Sequence, residues 1–127
     1  MHGLTAGDLH IEEVPMPLEA GAASSIQLLW KGKSNNRNPG EVLTPYFRTL
    51  LETAVERKLP IELHFEKIEH FNSSTITSMI ELIQDSRARS VKLILVYDQA
   101  LRWQRLNFDA LRVFVSDKDD LLELRAV

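Results

Sequence analysis

Asn72, Ser73, Ser74 and Thr75 set a carboxamide and three hydroxyls side by side, between two stretches of different hydrophobic period. A hydroxyl placed there can cap a helix, accept a phosphoryl group, or act as a nucleophile if a base lies beside it. For the nucleophile, the residue types allow a Ser73–His70–Asp98 triad. Ser73, however, lacks the Gly-x-Ser-x-Gly turn that exposes such a serine, and nearness in sequence is not triad geometry. His64, Glu69 and His70 are metal-ligand types, but their spacing brings no three donors to one point. Gly32-Lys33-Ser34 matches the close of a phosphate-binding loop, without its upstream glycine and without a helix directly after it. Capping and phosphorylation therefore remain. Asn72 or Ser73 is the expected N-cap, and Ser73, Ser74 and Thr75 are the hydroxyls open to phosphorylation.

The elements around the junction explain its position. Pro60-Ile61-Glu62-Leu63-His64-Phe65 alternates, as a strand with one buried face does, and the phase slips before Ile68, which suggests a bulge. Ile76, Met79, Ile80 and Ile83 then follow a helical period, for a helix over Ser74–Arg87. Upstream, His10–Val14 reads as a short strand stopped by Pro15 and Pro17, Glu19–Ser25 as a turn, and Ile26–Trp30 as its hairpin partner. Gly32–Gly40 reads as a surface loop. Glu41–Lys58 is a helix with a stripe of Leu43, Phe47, Leu50, Ala54 and Val55, ended by Pro60.

Downstream, Val91–Tyr97 is apolar on both phases apart from Lys92, as expected of a central strand covered on both sides. Asp98 is the expected cap of a third helix over Gln99–Asn107. Val113–Val115 reads as a last short strand, and Leu121–Leu124 as a half-helix or an edge strand. The order β-β-α-β-α-β-α-β predicts an α/β fold: a mixed sheet of four to six strands whose later members run parallel through crossover helices on one face. Arg102, Trp103 and Arg105 then fall at the same end of the sheet as Ser73, where functional loops gather. Trp and Arg are common interface anchors, so they are candidate partner-binding residues together with Asn72, Ser73 and Ser74.

A chain of 127 residues suits one domain with a real core. With 44% hydrophobic and 26% charged residues, it has the balance of a soluble globular protein. The net charge of −3 gives no reason to expect a nucleic-acid surface. The absence of cysteine excludes disulfides, thiolate metal sites and a cysteine nucleophile. The opening residues lack a signal-peptide pattern, and no apolar run is long enough to span a bilayer. A cytoplasmic protein without membrane partner, cofactor or metal is expected. Monomer and weak homodimer through an edge strand are equally open.

The element order, and the strand–hydroxyl–helix junction within it, resembles the STAS domain of anti-sigma factor antagonists over about residues 26–115 of a single domain, 1–127. The likeness is sharpest from Pro60 to Met79. In that family the strand ends in Asp-Ser-[Ser/Thr]-Gly-hydrophobic, and the first Ser or Thr is phosphorylated by a partner kinase. Here Asn72-Ser73-Ser74-Thr75-Ile76 puts Ser73 at the phosphoacceptor, Asn72 at the acidic position and Thr75 at the glycine. The Asn-[Ser/Thr]-Ser form is also similar to the SiaC-like branch of STAS-like regulators, which act in biofilm and cyclic-di-GMP signalling. The resemblance implies a non-catalytic regulator whose partner binding is switched by Ser/Thr phosphorylation. Its implied partners are a Ser/Thr kinase or anti-sigma-like protein, a PP2C-like phosphatase and a downstream effector. The alternative is a small-ligand or nucleotide sensor, with Gly32–Gly40 and the Ser73 junction forming the cradle.

Overall fold

The computed structural model describes residues 2–14 and 25–127. The expected turn over Glu19–Ser25 lies, apart from Ser25, outside the described residues. Six strands form one sheet in the order of the chain: β1 (Leu4–Ala6), β2 (Leu9–Glu13), β3 (Ile26–Ser34), β4 (Ile61–Phe71), β5 (Leu93–Tyr97) and β6 (Leu122–Ala126). β1, β2 and β3 pair antiparallel, whereas β3 to β6 run parallel. The parallel strands are joined by α1 (Gly40–Arg57), α2 (Ser73–Ala88) and α3 (Arg102–Leu111). The expected mixed α/β sheet with helical crossovers is therefore present.

All three helices lie on one face. Trp30 of β3 meets Phe47 of α1 at 6.1 Å and Phe65 of β4 at 5.0 Å between ring centroids. Phe108 of α3 meets Phe65 at 5.2 Å and stacks on Tyr97 of β5 at 4.9 Å. Met79, Leu82 and Ile83 of α2 complete the same buried cluster. Every second residue of the strands points into it, which is the alternation seen in Ile61, Leu63 and Phe65.

Among the described residues the opposite face carries no helix, and this corrects the expectation for β5. Ile94 and Val96 are buried there, at 6% and 2% exposure. In register, Ile94 lies between Glu62 and Glu123, and Val96 between His64 and Arg125. Arg125 on β6 reaches across β5 to Glu62 on β4 at 3.5 Å. Long charged side chains lying over apolar neighbours take the place of a second helical layer.

Local departures from expectation have local causes. β1 is too short for alternation to reveal it, and it turns into β2 at Gly7, where φ is +59°. β3 runs on to Ser34, so Gly32, Lys33 and Ser34 belong to a strand rather than a loop. Gly32 has φ +85°, and a Cβ there would collide with the Asp8 carbonyl oxygen, which accepts from Lys33 N. Its glycine serves a close backbone crossing, not a phosphate. β4 slips against β3 twice, between Leu29 and Lys31 and again between Gly32 and Lys33. The expected phase slip is thus a pair of bulges. Val55 is half-exposed and falls outside the α1 stripe.

The third helix begins at Arg102, not Gln99. The Asp98 carboxylate accepts from Ala100 N at 2.9 Å, a turn ahead of the helix, and gives α3 no side-chain cap. Val113–Val115 forms no strand: Arg112–Phe114 is a 3₁₀ turn, with Val113 78% exposed. Arg112 donates to Tyr97 Oη at 2.8 Å and holds that turn against the end of β5. The last strand is instead β6, an edge strand as one of the two readings of Leu121–Leu124 required.

Candidate functional site

Asn72 is the N-cap of α2. Its extended backbone lets Oδ1 accept from Thr75 N at 2.9 Å and from Thr75 Oγ1 at 2.7 Å. Its Nδ2 donates to the Asn36 carbonyl at 2.7 Å, and its N–H to the Ser34 carbonyl at 3.0 Å. A carboxylate could accept as well as this amide does, but it has no hydrogen to donate to Asn36. The amide thus ties down the loop after β3 as well as capping the helix.

Thr75 points inward. It is fully buried, 2.6 Å from the Ser34 hydroxyl, at the meeting of β3 and α2. A hydroxyl so enclosed cannot reach a kinase, which removes Thr75 from the candidate phosphoacceptors. Its side chain also leaves the outer surface of the first turn clear, although the STAS pattern has glycine here.

Ser73 has the opposite environment. Its side chain is exposed and makes no hydrogen bond among the described residues. The N–H groups of Ser73 and Ser74 likewise have no protein partner among those residues, and no acidic residue occupies the first turn of α2. The positive end of the helix dipole is therefore open at Ser73. Ser74 is half-buried and lines a shallow groove of about 430 Å³ between the starts of α1 and α2, with Arg37, Gly40, Glu41, Thr44 and Thr77. The carboxylates of Glu41 and Glu81 share its wall with the Arg37 guanidinium, and Gly32–Ser34 takes no part in it.

Trp103 reaches the same end of the sheet. Its ring meets Phe71 edge-on at 5.6 Å and His70 at 6.5 Å, just before the junction, and it is half-buried against the core. Arg102 and Arg105 are exposed, and no ion pair among the described residues engages them. Leu106, on the same helix, is 56% exposed. His70 is exposed and engaged with Trp103, while the Asp98 carboxylate is engaged with Ala100 N. No hydrogen bond among the described residues joins Ser73, His70 and Asp98. His64 lies between Glu62 at 3.0 Å and Glu66 at 3.4 Å and is half-buried.

Comparison with known proteins adds a fold. No family model matches the chain, and no curated protein matches it. Among solved structures it matches a chain in the crystal structure of the diguanylate cyclase SiaD in complex with its activator SiaC from Pseudomonas aeruginosa. The match covers 98% of both chains with a TM-score of 0.58. At 20% identity the likeness is one of fold. The fold fits the STAS-like pattern.

One structural residue of the site was missed in the sequence. Gln104 is fully buried and donates to the carbonyls of Phe65 at 2.7 Å and Ile68 at 3.1 Å, where β4 bulges. It also accepts from Asp98 N at 2.8 Å. It thereby holds α3, and Trp103 with it, against the strand that ends at the junction. The signal was present: Gln104 shares a helical stripe with Phe108 and Leu111, and a polar residue on an apolar stripe requires a partner.

Proposed function

We propose that this chain is a non-catalytic regulatory domain that binds a protein partner around Ser73, and that phosphorylation of Ser73 releases the partner. The observation that carries this reading is the division of labour at the junction: Asn72 and Thr75 hold the helix start, which leaves the Ser73 hydroxyl exposed and structurally idle. A phosphate there adds about −1.5 to −2 charges at a helix end that favours them, so the domain keeps its fold. A partner packed over the same turn meets a new, strongly hydrated charge and is expelled. The matched complex, an activator bound to a diguanylate cyclase, supports the protein-binding part of this reading and suggests a cyclase of that kind as the effector. A Ser/Thr kinase and a PP2C-like phosphatase would write and erase the mark. Ser74, half-buried at the groove, is the second candidate acceptor. Trp103, with Arg102 and Arg105 beside it, would extend the binding face.

The test is phosphosite mass spectrometry on protein from its native cells, paired with partner capture by Ser73→Ala and Ser73→Asp. Phosphate on Ser73 and at least tenfold weaker capture by Ser73→Asp are expected. Equal capture by both variants would overturn the switch.

A further inference from the structure

The free edge of β6 is complementary to itself, and from this we infer that the chain forms a two-fold dimer by antiparallel pairing of β6 with β6 of a second copy, centred on Leu124. Backbone parity decides which groups are free. Leu93 N donates to Leu121 O at 2.8 Å, and Val127 N donates to Tyr97 O at 2.9 Å. With the parallel register Leu93↔Leu122 to Tyr97↔Ala126, the N–H and C=O groups of Glu123 and Arg125 also face β5. Those of Leu122, Leu124 and Ala126 therefore point away from the sheet, where no strand among the described residues pairs with them.

Antiparallel pairing about Leu124 sets Leu124 opposite Leu124 of the second copy and Leu122 opposite its Ala126. These are the residues with free backbone groups, so each such pair exchanges two hydrogen bonds. The same register sets Glu123 opposite Arg125 of the second copy, and Arg125 opposite its Glu123, at the closer, non-hydrogen-bonded positions. Opposite charges thus meet on both sides of the axis. The two side chains are 38% and 45% exposed on the uncovered face, where they pair within the chain at 2.8 Å and also meet Lys92 and Glu62. A register shifted by two residues loses this match, which makes the charge pattern specific to one pairing. The axis runs perpendicular to the sheet, so both helical layers stay on one side of a continuous sheet of twelve strands.

Sedimentation equilibrium of the full chain is the test. An interface this narrow is expected to dissociate with a constant on the order of 100 µM. Glu123→Arg and Arg125→Glu should each be monomeric, because like charges then face each other. Mixing these two variants in equal amounts should restore a dimer, since one copy then presents only positive charges at the two positions and the other only negative ones. The double charge swap should also dimerise. Ala126→Pro, at an exposed residue whose N–H points outward, should abolish the dimer without disturbing pairing to β5. Circular dichroism checks that each variant is folded, and the mixture and Ala126→Pro decide the matter if one charge variant is not. A wild-type monomer at concentrations up to about 1 mM, or a dimer indifferent to these changes, would overturn the inference.

Discussion

The hydroxyls of Ser34 and Thr75 lie 2.6 Å apart, both buried, and join the end of β3 to the first turn of α2. Thr75 also donates to Asn72, so one threonine connects a strand, a helix cap and, through Asn36, a loop. Thr75→Val keeps the shape and removes the hydrogen bonds. It should cost about 1–3 kcal/mol, because the Ser34 hydroxyl is left buried without a partner. Urea unfolding of Thr75→Val against Thr75→Ser measures this, and the serine variant should keep most of the stability.

Asn72 and Ser73 should separate cleanly. Asn72→Ala loses the cap and should lower stability by about 0.5–2 kcal/mol. Ser73→Ala should change it by no more than about 0.5 kcal/mol, as for an exposed side chain with no partner. Ser73→Asp should be neutral or stabilising by about 0.3–1 kcal/mol through the helix dipole, an effect that salt weakens. Thermal melts at low and high salt read all three.

Gln104 satisfies three backbone groups, the carbonyls of Phe65 and Ile68 in the buried core and the part-buried N–H of Asp98. Gln104→Leu should cost about 2–4 kcal/mol, since Phe65 O, Ile68 O and Asp98 N lose a partner together. The loss should also appear as faster amide exchange at Asp98, which a simple packing defect elsewhere in α3 would not produce.

Tyr46 supplies a pH dependence. Burial, with the charge of Glu13 adding to it, pushes its phenol from 10.0 up to about 12, and its hydroxyl donates to the His2 carbonyl at 3.0 Å. The folded protein keeps the proton where the unfolded chain releases it, so the contribution is complete below pH 10 and lost as pH rises to about 12. Allowing for the part of the group that water reaches, the wild type should lose about 1–2 kcal/mol more than Tyr46→Phe across that window. Denaturant unfolding at pH 9.5 and 11.5, as about the limits of that window, measures the difference.

Much of the protein was legible as pattern. Alternation in Ile61–Phe65, the helical period of Ile76–Ile83 and the small polar residues between them specified a strand, a helix and the junction where Ser73 sits. They did so because periods of 2 and 3.6 follow from local backbone geometry. Short segments were not legible: three residues at β1, or Val113–Val115, carry too little period to decide between strand and turn. Which hydroxyl faces outward was settled only by packing. Asn72 and Ser73 are both good caps by residue type, and Thr75 stays among the candidate phosphoacceptors until Ser34, 41 positions away, takes its hydroxyl. The same holds for Gln104, whose partners at the β4 bulge exist only once α3 is packed, and for β5, whose second apolar face is covered by charges from strands on either side. Local chemistry specifies the elements; contacts distant in sequence assign Asn72 and Thr75 their partners and leave the exposed Ser73 hydroxyl at the helix start without one among the described residues.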